Sequence, residues 1–162
     1  MDGKYILAFD QGTTSSRAIL FDKQGNIAAE SQRPHEQIYP EAGWVSHNPR
    51  EIFFNTVECA KQAMESAGVL PGDIAAIGVT NQRETLAAWD RLSGEPVCDA
   101  VVWQCRRTAD ICAAVEADGM GETVREKTGL LIDPYFSVNT DASAVCRYSL
   151  PSASLPTLTM DG

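Results

Sequence analysis

The chain has no apolar run approaching membrane-spanning length, and no charged amino-terminal region leading into a sustained apolar stretch. A soluble, cytoplasmic protein is therefore expected, without a secretory leader. Positive charge is also scarce. Thirteen Lys and Arg stand against 22 Asp and Glu, for a net charge of −9. Such a balance repels a phosphate backbone and excludes nucleic acid as the expected partner, so any phosphate must be held by local amides and a metal. Histidine is limited to His35 and His47, and the five cysteines, Cys59, Cys98, Cys105, Cys112 and Cys146, form no C-x-x-C pair. A zinc site is not expected from so thin a ligand set. Cys98, Cys105 and Cys112 recur every seven residues, but only the last two could share a helix. Reduced thiols are the reading that fits. The G-x-x-x-x-G-K-[ST] phosphate loop is absent, as is any internal repeat.

With 44% hydrophobic residues in 162 positions, the chain can bury one core, and a single globular domain is expected. Two apolar runs, Tyr5 to Phe9 and Ala18 to Phe21, flank the segment Asp10-Gln11-Gly12-Thr13-Thr14-Ser15-Ser16-Arg17. Those residue types suit an anion. Gly12 lets backbone amides approach closely, Thr13, Thr14 and Ser15 add hydroxyl donors, and Arg17 brings a charge that does not titrate. Asp10 in such a loop would repel phosphate unless a cation lay between them, which points to a divalent metal such as Mg²⁺. A plain polar hairpin turn uses the same residue types, so this segment alone leaves both readings open.

Ile27-Ala28-Ala29, after a turn at Asp22 to Asn26, continues the meander into a third strand. Residues 33–45 read as a loop carrying Pro34, Pro40 and Gly43, with Tyr39 and Trp44 as its anchors. Asn48 can cap a helix that starts at Pro49, and Glu51 can return a hydrogen bond to the cap. Phe53, Val57, Ala60 and Met64 predict one apolar stripe, ending at Gly68. Ile74 to Val79 reads as a buried strand, parallel to an earlier one because a helix precedes it. Thr85 to Trp89 and Ala100 to Trp103 read as further strands. Helices are predicted from about Thr108 to Ala117 and Gly121 to Thr128, stopped by Gly119 and Gly129. The pattern describes an α/β fold, a mixed sheet with flanking helices. Residues 138–162 are rich in Ser, Thr, Pro and Ala without period, and an unstructured tail is expected there.

Thr80-Asn81-Gln82-Arg83-Glu84-Thr85 follows the predicted buried strand, at the place where open α/β sheets collect ligands. Arg83 offers fixed donors and Glu84 an acceptor, a pair that matches adjacent hydroxyls of a polyol. A surface ion pair is the plain alternative. Trp103, at another strand end, could form the apolar wall against the carbon face of a small polyol, and Tyr135, after Pro134, could supply a hydroxyl. Taken alone, each aromatic more often serves a core. Of Arg106 and Arg107, at a helix start that prefers acids, at least one should answer a local carboxylate.

The strand-loop-strand phosphate holder resembles the first hairpin of the sugar kinase, Hsp70 and actin superfamily. DQGTTSSR, EQIYPEAGWVSHNP, TNQRET, WQCRR and GLLIDPYFS, in this order across residues 1–137, resemble the FGGY carbohydrate kinases and, within them, the glycerol kinases. The resemblance implies a ribonuclease-H-like N-terminal domain over 1–137, incomplete as a kinase, and a tail, 138–162, that matches no family motif. It implies that Thr13, Thr14, Ser15 and Arg17 contact the nucleotide phosphates, with Asp10 near Mg²⁺. Arg83, Glu84 and Tyr135 would hold glycerol, and Trp103 would line its pocket. The implied reaction converts ATP and glycerol to ADP and sn-glycerol 3-phosphate, with no nucleic acid or membrane partner and with homo-oligomers among complete members. The general base of the family is an Asp expected beyond residue 137. No catalytic residue is therefore assigned, Asp141 and Asp161 match no motif, and the chain by itself is not expected to phosphorylate glycerol. Other readings stay open: a non-catalytic polyol- or phosphate-binding remnant, another FGGY sugar kinase, or an actin-like or chaperone-like ATPase. Arg83, Glu84, Trp103 and Tyr135 speak against the last, which needs no polyol pocket.

Overall fold

Short alternating apolar runs joined by polar turns build the first part of the chain into a meander. The computed structural model describes residues 4–137, so the expected tail lies outside the described residues. In chain order the elements are β1 (Tyr5–Gln11), β2 (Ser15–Phe21), β3 (Ile27–Pro34), β4 (Ser46–His47), α1 (Pro49–Ala67), β5 (Ile74–Thr80), β6 (Ala100–Val101), α2 (Ala109–Ala117) and α3 (Met120–Thr128), with a 3-10 turn at Pro71–Asp73. They divide between two compact units. The first holds the residues up to Gln37 together with Asn48–Arg83, and the second holds Ile38–His47 together with the residues from Glu84 onward. In place of the one core expected from length, two clusters of buried side chains form.

In the first unit β1, β2 and β3 run antiparallel, and β5 joins β1 in parallel, giving the order β3-β2-β1-β5. This is the mixed sheet that the pattern predicts. Leu7, Ala18 and Leu20 on one sheet face pack against Cys59, Ala60 and Ala63 of α1. Asn48 caps α1 by accepting from Arg50 N at 2.9 Å and Glu51 N at 3.4 Å. The reciprocal bond expected from Glu51 goes elsewhere: its carboxylate accepts from Glu36 N at 3.3 and 3.2 Å. Gly68 ends the helix in the left-handed region at φ 65°, a conformation that costs a residue with a Cβ.

Two further expectations for this unit fail. The buried face of α1 carries Asn55, Cys59, Ala60 and Ala63, whereas Phe53 is 72% exposed. Small side chains let the helix lie close on the sheet, so the stripe picked by apolar size is rotated away from the true contact. β5 is parallel, as expected, but it is not buried: Ile77 and Val79 are 62% and 73% exposed. The reason is position, since β5 pairs only with β1 among the described residues, and α1 packs on β2 and β3.

In the second unit β4 and β6 form a small antiparallel pair, and Val45, Val101, Val102 and Cys105 make its core. The predicted strand at Thr85 to Trp89 is reduced to isolated bridges, Leu86 with Val101 and Trp89 with Pro96. Asp90 gathers Leu92 N, Ser93 N and the Ser93 hydroxyl at 2.7–3.1 Å, and so makes a tight turn in place of a longer ladder. β6 stops at Val101, short of the expected Trp103, and Cys105 N then turns back to Val102 O at 2.9 Å. α2 and α3 stand where periodicity puts them. Gly129 caps α3, but Gly119 opens α3 and Asp118 ends α2. Of the two loop anchors expected, Trp44 holds, with the Arg107 guanidinium 4.4 Å over its ring. Tyr39 is 68% exposed, too open to the solvent for the anchor expected.

Candidate functional site

In the first unit the segment singled out for phosphate is the turn between β1 and β2. Gly12 N bonds to Ser15 O at 3.0 Å, closing it. Gly12 does not occupy the left-handed region, where Gly25, Gly43 and others of the chain lie; its value here is the absence of a side chain beside the turn, not its conformational freedom. The register places Asp10 opposite Arg17 on β2 and opposite Thr80 on β5. Directly opposite residues share a sheet face, so Asp10, Arg17 and Thr80 form one polar row at the sheet end. Arg17 donates to Gln32 Oε1 at 3.2 Å, and Gln32 donates in turn to the Ser15 hydroxyl at 2.7 Å. On the opposite face Gln11 Oε1 accepts from the Ser16 hydroxyl at 2.6 Å and the Thr56 hydroxyl at 3.2 Å, tying the turn to α1.

Arg83 closes the first unit and Glu84 begins the second. Glu84 is the one residue with a side chain among the described residues that has a positive φ, at 50°. Its Oε2 accepts from Ser137 N at 2.8 Å and from the Ser137 hydroxyl at 3.0 Å. The segment around Tyr135 is fixed by Asp133, whose carboxylate takes Tyr135 N at 2.8 Å and Arg106 at 3.0 and 3.3 Å. Arg106 is thus the arginine that answers a carboxylate, and Arg107 is buried against Trp44 and the Ser46 hydroxyl. Trp103 and Tyr135, each about one-third exposed, meet with ring centroids 5.8 Å apart. Sequence reasoning brought Glu84, Trp103 and Tyr135 forward one by one, and this unit brings the two rings together. It assigned nothing to Ser137 or Asp133, although both stand in a segment singled out for Tyr135.

Glu84 also borders an apolar cavity of about 420 Å³ lined by Val115, Val124, Leu130, Ile132 and Phe136. Apart from Glu84 and Thr128, whose hydroxyl already donates to Val124 O at 2.7 Å and accepts from Leu130 N at 3.1 Å, its walls are apolar. The four cysteines among the described residues are thiols, and burial, with the Asp133 carboxylate adding to it, pushes the Cys112 thiol up. A raised pKa leaves little thiolate at neutral pH, which argues against a nucleophilic role. Among the described residues no group of three or more His, Cys, Asp or Glu could hold a metal. No helix among them is long and apolar enough to cross a membrane.

Residues 5–140 match the model of the FGGY family of carbohydrate kinases, N-terminal domain. The chain belongs to this family. Among curated relatives, glycerol kinase 2 of Thermotoga maritima is 57% identical over 134 residues, which are 83% of this chain and 27% of that protein. The chain thus spans about a quarter of the length of such relatives. Among solved structures, Plasmodium falciparum glycerol kinase with ADP superposes with a TM-score of 0.76 at 28% identity, covering 88% of this chain and 30% of that one. A ligand-bound xylulose kinase from Lactobacillus acidophilus gives the same TM-score at 21% identity, over 90% of this chain and 30% of that one, a likeness of fold alone. The fold is the α/β architecture of the actin, Hsp70 and sugar kinase group.

Proposed function

We propose that the chain is the N-terminal part of a glycerol kinase, which transfers the γ-phosphoryl group of Mg·ATP to glycerol in the cytoplasm and releases ADP and sn-glycerol 3-phosphate. The observation that carries the reading is the second unit's polyol set: Glu84 held by Ser137, beside a segment whose Tyr135 ring meets Trp103. Two aromatic faces suit the carbon side of a small polyol, and a carboxylate with one oxygen already engaged keeps the other for a substrate hydroxyl. Arg83 adds donors that a carboxylate cannot give. Fifty-seven per cent identity to a glycerol kinase supports glycerol over larger sugars.

In the first unit Thr13, Thr14, Ser15 and Arg17 take the nucleotide phosphates. Asp10 fits a Mg²⁺ ion, because that ion keeps most of its water and phosphate oxygens and needs only one or two protein carboxylates. Held by Asp10, the ion would supply the positive charge that offsets that of the phosphates. Transfer then depends on positioning, and Glu84, Arg83 and Tyr135 would orient the attacking hydroxyl. No residue of this chain is given the role of general base.

The test uses a longer kinase in which residues 5–137 of this chain replace the matching segment of the Thermotoga enzyme. ADP formation should depend on glycerol, and Arg83→Ala should raise the KM for glycerol on the order of thirtyfold, for a loss of about 2 kcal/mol, with the KM for ATP nearly unchanged. Unchanged glycerol kinetics in Arg83→Ala would overturn the assignment.

A further inference from the structure

We infer that His35 and Gln37 are positioning residues for the phosphate-binding turn, acting through its carbonyl groups. This rests on the reading of that turn as a phosphate holder. A peptide unit points its C=O and its N–H in opposite directions, so fixing one carbonyl aims the next residue's amide. Each carbonyl along the turn is fixed. Gly12 O accepts from Gln11 Nε2 at 3.1 Å. Thr13 O lies 2.9 Å from His35 Nε2 and accepts from Gln37 Nε2 at 3.0 Å. Thr14 O accepts from His35 N at 3.2 Å, and Ser15 O from Gly12 N at 3.0 Å. Each of the amides of Thr13, Thr14 and Ser15 is therefore turned away from the anchor of the carbonyl before it, which sets it as a donor for an anion held at the turn.

The anchors come from the chain just beyond β3. Pro34, the last residue of β3, pairs with Ser15, and Asn55 of α1 holds Pro34 O at 3.1 Å. His35, only 6% exposed, therefore reaches the turn from a backbone fixed by both strand and helix. Gln37 is half-buried and adds a second donor to the same oxygen. Two donors on one carbonyl are more than hydrogen-bond satisfaction demands, and they restrict its direction. Donors set in place before the anion arrives cost it no reorganisation.

The experiment follows the backbone amides of the ¹⁵N-labelled full chain by NMR during titration with pyrophosphate in excess Mg²⁺. In the parent, the amides of Thr13, Thr14 and Ser15 should shift and saturate. Gln37→Leu, which keeps the bulk, and His35→Leu should each weaken the apparent affinity about fivefold to tenfold. His35→Gln retains a donor at the matching place and should restore it. Ser31→Ala, which loses a bond to Gln62 away from the turn, should bind like the parent. Folded Gln37→Leu and His35→Leu variants that bind as tightly as the parent overturn this inference and leave the phosphate reading standing. A parent that does not respond to pyrophosphate overturns both. Loss of the dispersed spectrum in Gln37→Leu also overturns it, because Gln37 would then be a support of the whole unit.

Discussion

Glu84 is held at φ 50°, a conformation residues with a Cβ adopt rarely and at a cost of roughly 1–3 kcal/mol. Such a backbone persists only where its surroundings over-determine it, and the two bonds from Ser137 to Oε2 do so here. The strain sits at the residue to whose carboxylate the proposed function assigns a glycerol hydroxyl. Arg17 is placed differently, on the face of β2 that it shares with Asp10 and tied to Gln32. In the grafted kinase, Arg17→Ala should therefore raise the KM for ATP about tenfold or more while the KM for glycerol changes little; equal ATP kinetics in variant and parent would reduce the loop to a turn. Arg17, Glu84 and Tyr135 stand out in the sequence because their residue types suit the chemistry proposed for them. Ser137 was not legible as a partner of Glu84: the two are 53 positions apart, and no local pattern connects a serine to a distant carboxylate. His35 stands out in the sequence only as a possible metal ligand, and its bond to Thr13 O becomes visible only once β3 is laid beside β2.

At the level of elements, caps and turns were readable and faces were not. Asn48 and Gly68 bound α1 as their chemistry dictates, whereas the buried stripe of small residues lost out, in the sequence, to the larger Phe53. Asn48→Ala should cost the first unit about 1 kcal/mol, seen as a lower denaturation midpoint at unchanged slope. The turn between β2 and β3 gives a pH-dependent counterpart. The Asn26 side chain and backbone, with Gln24 and Gly25, hold the Asp22 carboxyl below its ordinary value, and Ser93 does the same for Asp90. A carboxyl whose pKa is lower folded than unfolded stabilises the fold fully above its unfolded pKa, and the benefit is lost as pH falls through the folded one. The Asp22 side chain, followed by carboxyl NMR, should titrate below about 3.9, the ordinary aspartate value. Asp22→Asn should flatten the stability loss on acidification below that range. A midpoint at or above the ordinary value would show that the turn does not grip the carboxylate.

Across the whole molecule, the described residues leave large apolar side chains uncovered, with Ile77 and Val79 on β5 and Leu70 before it all more than 60% exposed. The sheet and helix order was legible because periodicity and turn chemistry are local. The division into two units was not, because Ile38–His47 joins residues that follow it by some forty positions or more, a pairing that only the folded chain displays. The proposed function rests, at this scale, on the Glu84, Trp103 and Tyr135 set choosing a small polyol. The direct measurement is kcat/KM for glycerol and for xylulose, taken side by side on the longer kinase that carries residues 5–137 of this chain. A site whose donors and acceptors are spaced for one polyol should favour glycerol by at least about tenfold, and Tyr135→Phe should erode that preference. Equal use of the two substrates, or a preference for xylulose, would contradict the account.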